Sequence, residues 1–360
     1  MFNQLLAEDA AKVSSDELRG KIQTVRGLIE PDSLGKTLMH EHLLWDIRSA
    51  EQKAAVDQGP EITLCNCFKI NYGRLKVPRN KIFRSWETAT REVQLMLDAG
   101  GNSIVELSNG GLAPDPLGLR KISESTGAHV VMGCGHYVDA YQDESNRDRS
   151  VESFAQEIRS QILEGAWGTD VRAGIIGEIG CQAPWTDLEK KVMLGALIAQ
   201  ADTGAALNVH PGRHEDQPQE VIDFMISNGY PVERVIISHI DRTIFDNERI
   251  LRLADTGCVL EFDLFGQEHA YYSLGDIDGL NDAMRLKYIR TLISRGHLSQ
   301  IVISHDICHQ TRLVSNGGHG YGHIFENVIP IMDRHGFTEQ EKAAILVENP
   351  KRLLTFAGGR

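Results

Sequence analysis

The sequence predicts a (β/α)8 barrel preceded by a β-hairpin, and three observations carry that reading. Eight short β-branched or apolar runs alternate with helical patterns along 360 residues, which implies a parallel sheet. Eight strands in a chain of this length favour a closed barrel over an open doubly wound sheet. No G-x-G-x-x-G follows the first strand, which weakens the dinucleotide-binding alternative.

The elements follow in order. Met1 to Gly20 reads as an N-terminal extension with several acidic residues and no apolar run of signal-peptide length. Residues 21–360 read as a single barrel domain with no low-complexity linker. Lys21–Gly35 predicts a hairpin in which Ile22, Thr24 and Val25 lead to a Glu30-Pro31-Asp32 turn, capping the barrel bottom. The first barrel strand is placed at Thr37–His42, and the stretch from Ile47 to Arg84, lacking a period, reads as an irregular excursion. The next strands are placed at Ser103–Ser108, Val130–Gly135, Gly174–Gly180 and Ala205–His210. The last three are placed at Arg234–Ile240, Val259–Phe265 and Ile301–Asp306. Helical spacing marks Asp187–Thr203, Glu220–Asn228, Ile244–Asp255 and Leu280–Arg295.

Composition narrows the function classes. Apolar residues make up 41% and charged residues 24%, the profile of a soluble globular protein. A net charge of −13 argues against nucleic acid as a partner, which needs a basic footprint. A small anionic substrate stays compatible, because bound metals can make one pocket locally positive. No run approaches the length of a membrane span. Six cysteines, including a lone Cys65-x-Cys67, fit reduced thiols better than a disulfide framework. The expectation is a cytoplasmic protein with a small-molecule substrate and no membrane partner.

The residues that carry chemistry cluster at strand ends. His40 and His42 end the first strand, Glu178 lies near the end of the fourth and His210 ends the fifth. His239 ends the sixth and Asp306 the eighth. In a (β/α)8 barrel these ends converge on one mouth, where active sites are built. Strand alternation lets His40 and His42 point inward together while Glu41 points away. The same rule puts Val302, Ser304 and Asp306 on the inner face, with His305 outward, and lines the interior with Gly174, Ile176 and Glu178. Four imidazoles and two carboxylates suit two divalent ions, zinc first and manganese or cobalt next. Such a pair lowers the pKa of water from about 15.7 towards 7, and Asp306 could take the proton released.

This ordered set resembles the phosphotriesterase family of the amidohydrolase superfamily. The resemblance runs from about Lys21 to Leu354. It rests on Thr37-Leu38-Met39-His40-Glu41-His42, Ala173 to Gly180, Val209-His210, Ile237-Ser238-His239, Ser304-His305-Asp306 and Glu348-Asn349-Pro350. It implies that His40 and His42 bind a buried metal, His210 and His239 a more exposed one, and that Glu178 bridges them. Asp306 would bind the buried metal and shuttle protons. Organophosphate-degrading and many lactone-degrading members bridge with a carboxylated lysine, whereas Gly177-Glu178-Ile179 offers a plain glutamate. That is the pattern of the phosphotriesterase-related branch, some of whose members were labelled resiniferatoxin-binding. It moves the expectation from phosphotriesters to lactones or other carboxylic esters. An amidase on small N-acyl compounds is the alternative, with a phosphotriesterase side activity or a non-catalytic binding role behind it. By analogy with relatives, the assembly expected is a homodimer.

Loops after the strands should select the substrate. Tyr137 after strand three, Arg213 after strand five, and Arg312 and Tyr321 after strand eight are the candidate substrate contacts. Asp263 to Gly266 and Tyr271-Tyr272 could form an apolar wall.

Overall fold

The computed structural model describes residues 13–359, so most of the N-terminal extension lies outside the described residues. Eight parallel strands are present: β1 (Thr37–Glu41), β2 (Ser103–Glu106), β3 (His129–Met132), β4 (Ile176–Gly180), β5 (Leu207–His210), β6 (Val235–Ile237), β7 (Val259–Phe262) and β8 (Ile301–Ile303). The ladder pairs β1 with β2 and β2 with β3, and runs separately from β4 to β8 in order. Backbone bonds close both gaps. Gly174 N and Gly177 N donate to Met132 O and Cys134 O at 2.9 and 2.8 Å, and Asp306 N donates to His40 O at 3.1 Å. The result is a closed (β/α)8 barrel.

Period-two alternation separates two cores. Met39, Val105, Val131, Ile175, Ala206, Ile236, Val259 and Val302, one from each strand or its lead-in, fill the barrel interior. Their neighbours Leu38, Ile104, Val130, Ile176, Leu207, Ile237, Leu260 and Ile301 face the helical layer. In that layer the helix Asp187–Thr203 has the bounds its sequence announces. Thr186 and Glu189 form a capping box, and Gly204 ends the helix at φ 74°. The helix expected from Ile244 starts later, at Asn247, because the Asp246 side chain caps Arg249 N. No helix among the described residues is long and apolar enough to cross a membrane.

Two expectations need correction. The hairpin pairs Ile22–Thr24 with Gly27–Ile29, so its turn is Val25-Arg26. Glu30 instead precedes a 3-10 turn at Pro31–Ser33, where proline's fixed φ suits a first helical position. Ile22 and Leu34 still join the interior cluster and plug the barrel bottom. In the fourth strand Ile175, not Ile176, faces the interior. Three steps of β4 from Ile176 to Ile179 oppose two steps of β5 from Leu207 to Val209. The extra residue is a bulge that resets the phase and returns Glu178 to the inside. The same count occurs in β1, where Leu38 to Glu41 opposes Ile104 to Glu106. Met39 and His40 thereby both face inward.

The excursion after β1 is largely irregular but not featureless. Trp45–Asp46 pairs antiparallel with Ile82–Phe83, and the helices Ala50–Ala54 and Cys67–Asn71 lie between.

Candidate metal centre

The two bulged strands and the ends of β5 and β6 bring four imidazoles around one carboxylate. Glu178 Oε1 lies 3.5 Å from His42 Nε2, and Oε2 lies 3.6 Å from His40 Nε2. Oε2 also lies 2.7 Å from His210 Nδ1 and 3.5 Å from His239 Nε2. Asp306 Oδ1 approaches His42 Nε2 to 3.2 Å and His40 Nε2 to 4.0 Å. Asp306 is the least buried of the six, at 15% side-chain exposure, on the solvent side of the cluster.

His239 and Asp306 sit at φ 55° and 49°, a left-handed conformation that costs other residues roughly 1–3 kcal/mol. Both are held there by bonds from outside their strands. Asp263 Oδ2 accepts His239 N at 3.0 Å. Glu41, facing the helical layer, accepts Ser304 Oγ, His305 N and His305 Nδ1 on Oε1 and Ile307 N on Oε2. It straps β1 to the loop that carries Asp306.

A further layer fixes the rings. His42 Nδ1 lies 2.9 Å from Ser108 Oγ, and His239 Nδ1 lies 2.8 Å from Asp263 Oδ1. His40 Nδ1 meets Ser238 Oγ at 3.2 Å and both Glu261 and Asp263 at 3.3 Å. Three rings are thus anchored by Nδ1 and offer Nε2 to the cluster. His210 is turned the other way, with Nε2 3.3 Å from Tyr137 Oη and 3.2 Å from Arg242 Nη2. Sequence reasoning missed Glu261 and placed Asp263 in an apolar wall. The signal was available: Val259, Glu261 and Asp263 share the inward phase of β7, where an acid has no apolar reason to be.

These residues fit divalent ions. His40 Nε2 is fully buried without a hydrogen-bond partner among the described residues. Glu178, Glu261, Asp263 and Asp306 bring four carboxylates into one enclosed site, which stays stable only with compensating positive charge. Burial opposes ionisation of Glu178, yet His40 and His210 hold it well below the usual carboxylate range. Burial likewise opposes ionisation of Asp306, and the bond from His42 together with the charges of His239, His40 and His42 brings it down to about 2. His210 is pushed down to about 3, by burial first, so it is a neutral ring. Burial opposes charge on His40, His42 and His239, yet the surrounding carboxylates raise all three above the ordinary imidazole value. The cluster thus draws positive charge, which a divalent ion would supply in place of those protons. Ligand atoms of His40, His42 and Glu178, of His40, His239 and Asp263, and of Glu178, His210 and His239 each gather within 4.8 Å.

Above the cluster opens a cavity of about 400 Å³. Tyr137, Arg213 and Arg312 line it, as do Leu264 and Tyr272. Tyr321 does not. It is fully buried behind His42 and its hydroxyl donates to His42 O at 2.5 Å, so it supports a strand end and is no substrate contact. His136 faces the helical layer, 3.1 Å from Glu157, and Phe265 is core. The cavity also holds residues that sequence reasoning passed over, chiefly Lys81 and Arg242. Lys81 lay unseen in the aperiodic excursion.

Comparison with known proteins places this architecture. The model of the phosphotriesterase family matches residues 20–354. The chain is 40% identical to the N-acetyltaurine hydrolases of Xenopus tropicalis and Homo sapiens, over 94% of its own length and 99% of theirs. Among solved structures it is similar to a resiniferatoxin-binding protein from Rhodobacter sphaeroides, with TM-score 0.88, 32% identity and coverage of 97% and 98% of the two chains. An Escherichia coli phosphotriesterase homology protein, solved with phosphate in its active site, gives TM-score 0.74 at 27% identity, covering 90% of this chain and 99% of that one. The chain belongs to the phosphotriesterase family and is a hydrolase.

Proposed function

We propose that this chain hydrolyses the amide bond of a small N-acyl amine with an anionic head group, N-acetyltaurine first among candidates, at two divalent metals. The observation that carries the reading is the cationic mouth. Lys81, Arg213, Arg242 and Arg312 all line the cavity of a protein whose net charge is −13. A neutral lactone gives those cations nothing to hold, whereas a sulfonate or carboxylate does. The 40% identity to N-acetyltaurine hydrolases over nearly their whole length supports the same reading, as does the phosphate in the Escherichia coli relative's site.

In this reading His40, His42 and Asp306 would hold one ion and His210 and His239 the other, with Glu178 available to both. Zinc suits the imidazole-rich donor set. When bound, such a pair polarises a carbonyl and makes water acidic enough to ionise near neutral pH. The chain's own groups do the rest. Asp306, ionised and open to the cavity, accepts the proton of the attacking water and returns it to the leaving nitrogen. The carbon–nitrogen bond breaks, leaving a carboxylic acid and a free amine. Burial raises the Tyr137 phenol well above its ordinary pKa, so it remains a donor, placed beside His210 to bond the acyl oxygen.

The test is amine release from N-acetyltaurine and N-acetyl amino acids beside acid release from a lactone panel, using zinc- and manganese-loaded protein. Amine release is expected, and Asp306→Asn should lower it by about 100-fold or more while much of the metal remains bound. Acid release from lactones without any amine would replace the amide reading with the ester one. Near-normal turnover of Asp306→Asn would remove the proton-transfer role.

A further inference from the structure

The four cations of the cavity are not equivalent. Arg242 is committed to Pro211 O, Thr243 Oγ1 and the His210 ring. Arg312 donates to Asp306 O at 2.5 Å. None of the four pairs with a carboxylate among the described residues. Lys81 and Arg213 differ in that the Lys81 ammonium has no hydrogen-bond partner there and Arg213 makes no bond to the metal-centre residues. Arg213 has its Nε on the Tyr272 hydroxyl at 3.0 Å, which leaves the terminal nitrogens of its fork to point elsewhere. Burial presses the Lys81 ammonium towards losing its proton, Cys308 opposes this, and Arg213 adds a smaller push in the same direction as burial. Burial opposes the Arg213 charge, but Tyr272, Tyr137 and Asp306 more than offset it, so two cations face one enclosed space that an anion can enter.

Lys81 is nonetheless fixed in place. The backbone on either side of it is pinned to the loop that follows Asp306. Gln310 Nε2 donates to Arg79 O at 2.7 Å and to Ile82 O at 2.6 Å, and Thr311 N donates to Asn80 Oδ1 at 2.9 Å. Arg213 follows His210 by three residues and is steadied by Tyr272 from the loop after β7. Three loops therefore converge to present two charges, at little ordering cost when a ligand binds.

Resting on the N-acyl hydrolase reading, we infer that Lys81 and Arg213 form a clamp for the anionic head group on the amine side of the scissile amide. The side follows from placement. The leaving nitrogen needs its proton from Asp306, and the Lys81 segment is bonded directly to the loop after Asp306. Val138 and Leu264 also line the cavity and give a short acyl chain apolar surface to meet. A sulfonate and a carboxylate meet the clamp with the same chemistry, and a neutral hydroxyl in the same place does not.

The experiment compares N-acetyltaurine with N-acetylethanolamine, which replaces the sulfonate by a hydroxyl, in wild type, Lys81→Met, Arg213→Met and Arg213→Lys. The ratio of kcat/KM for the anionic over the neutral amide should fall about tenfold or more in each Met variant, mainly through KM. Arg213→Lys should recover part of it, because charge survives while the fork is lost. Unchanged ratios in both Met variants would overturn the clamp. If the wild type cleaves neither amide, the hydrolase reading fails separately and calorimetry with N-acetyltaurine decides the clamp. Wild-type binding lost in the Met variants supports it, and equal or absent binding overturns it.

Discussion

Asp263 gives both carboxylate oxygens to His239, one to the ring and one to the backbone nitrogen. Removing its charge leaves the ring free to turn and the left-handed backbone at His239 less supported. Asp263→Asn is therefore expected to weaken metal affinity by about 10–100-fold, measured by competition with a chromophoric chelator. Affinity equal to the wild type would mean that the ring is held by packing alone. Glu41 works at a greater distance. Its bonds to Ser304, His305 and Ile307 bracket Asp306 without touching the metal cluster. An acid between two histidines looks in sequence like a third ligand or a surface charge. Its burial as a strap follows from the outward phase it occupies beside β8.

At the scale of elements, bulges in β1 and β4 decide which residues reach the centre. Alternation finds the inward phase of His40 and His42, but it cannot show an extra residue, because a bulge depends on the partner strand. Asp282 makes another connection between elements. At the first turn of the helix Asp282–Ser294, its Oδ1 accepts Gly266 N and Arg285 Nη1, and its Oδ2 meets His323 Nε2 at 2.7 Å. Burial raises its pKa, but His323 and Arg285 outweigh that and bring it to about 2. A depressed carboxylate contributes stability above its unfolded pKa of about 4, and loses it as pH falls through the folded value. Asp282→Asn should be less stable than wild type by about 2 kcal/mol at neutral pH. The gap should close between about pH 4 and 2, and urea denaturation across that range measures it. A gap independent of pH would assign the loss to hydrogen bonding rather than charge.

For the whole molecule, the barrel concentrates four carboxylates in one site, three of them buried and Asp306 at the cavity floor. Stripping metal should lower the melting temperature, since binding adds stability of about 4 kcal/mol at a thousandfold excess over the dissociation constant. Melts with a chelator, then with zinc restored, check this. An unchanged melting temperature with two bound ions per chain would show that the scaffold holds the charges by itself. The loops above the centre answer to a different demand. They supply cations to a chain that is acidic overall, so substrate choice is separable from stability.

The sequence by itself determined the eight strands, their alternation with helices and the six residues that converge at the mouth. Those are local signals: apolar period, turn residues, and metal-type side chains placed at strand ends. The hairpin turn, the phase reset in β4, the inward acids Glu261 and Asp263, the burial of Tyr321 and the pairing of Lys81 with Arg213 were decided only by the tertiary structure. Each depends on residues far apart in sequence meeting across strands or loops. Register and side-chain partnership are properties of two segments together, and one segment's composition does not contain them.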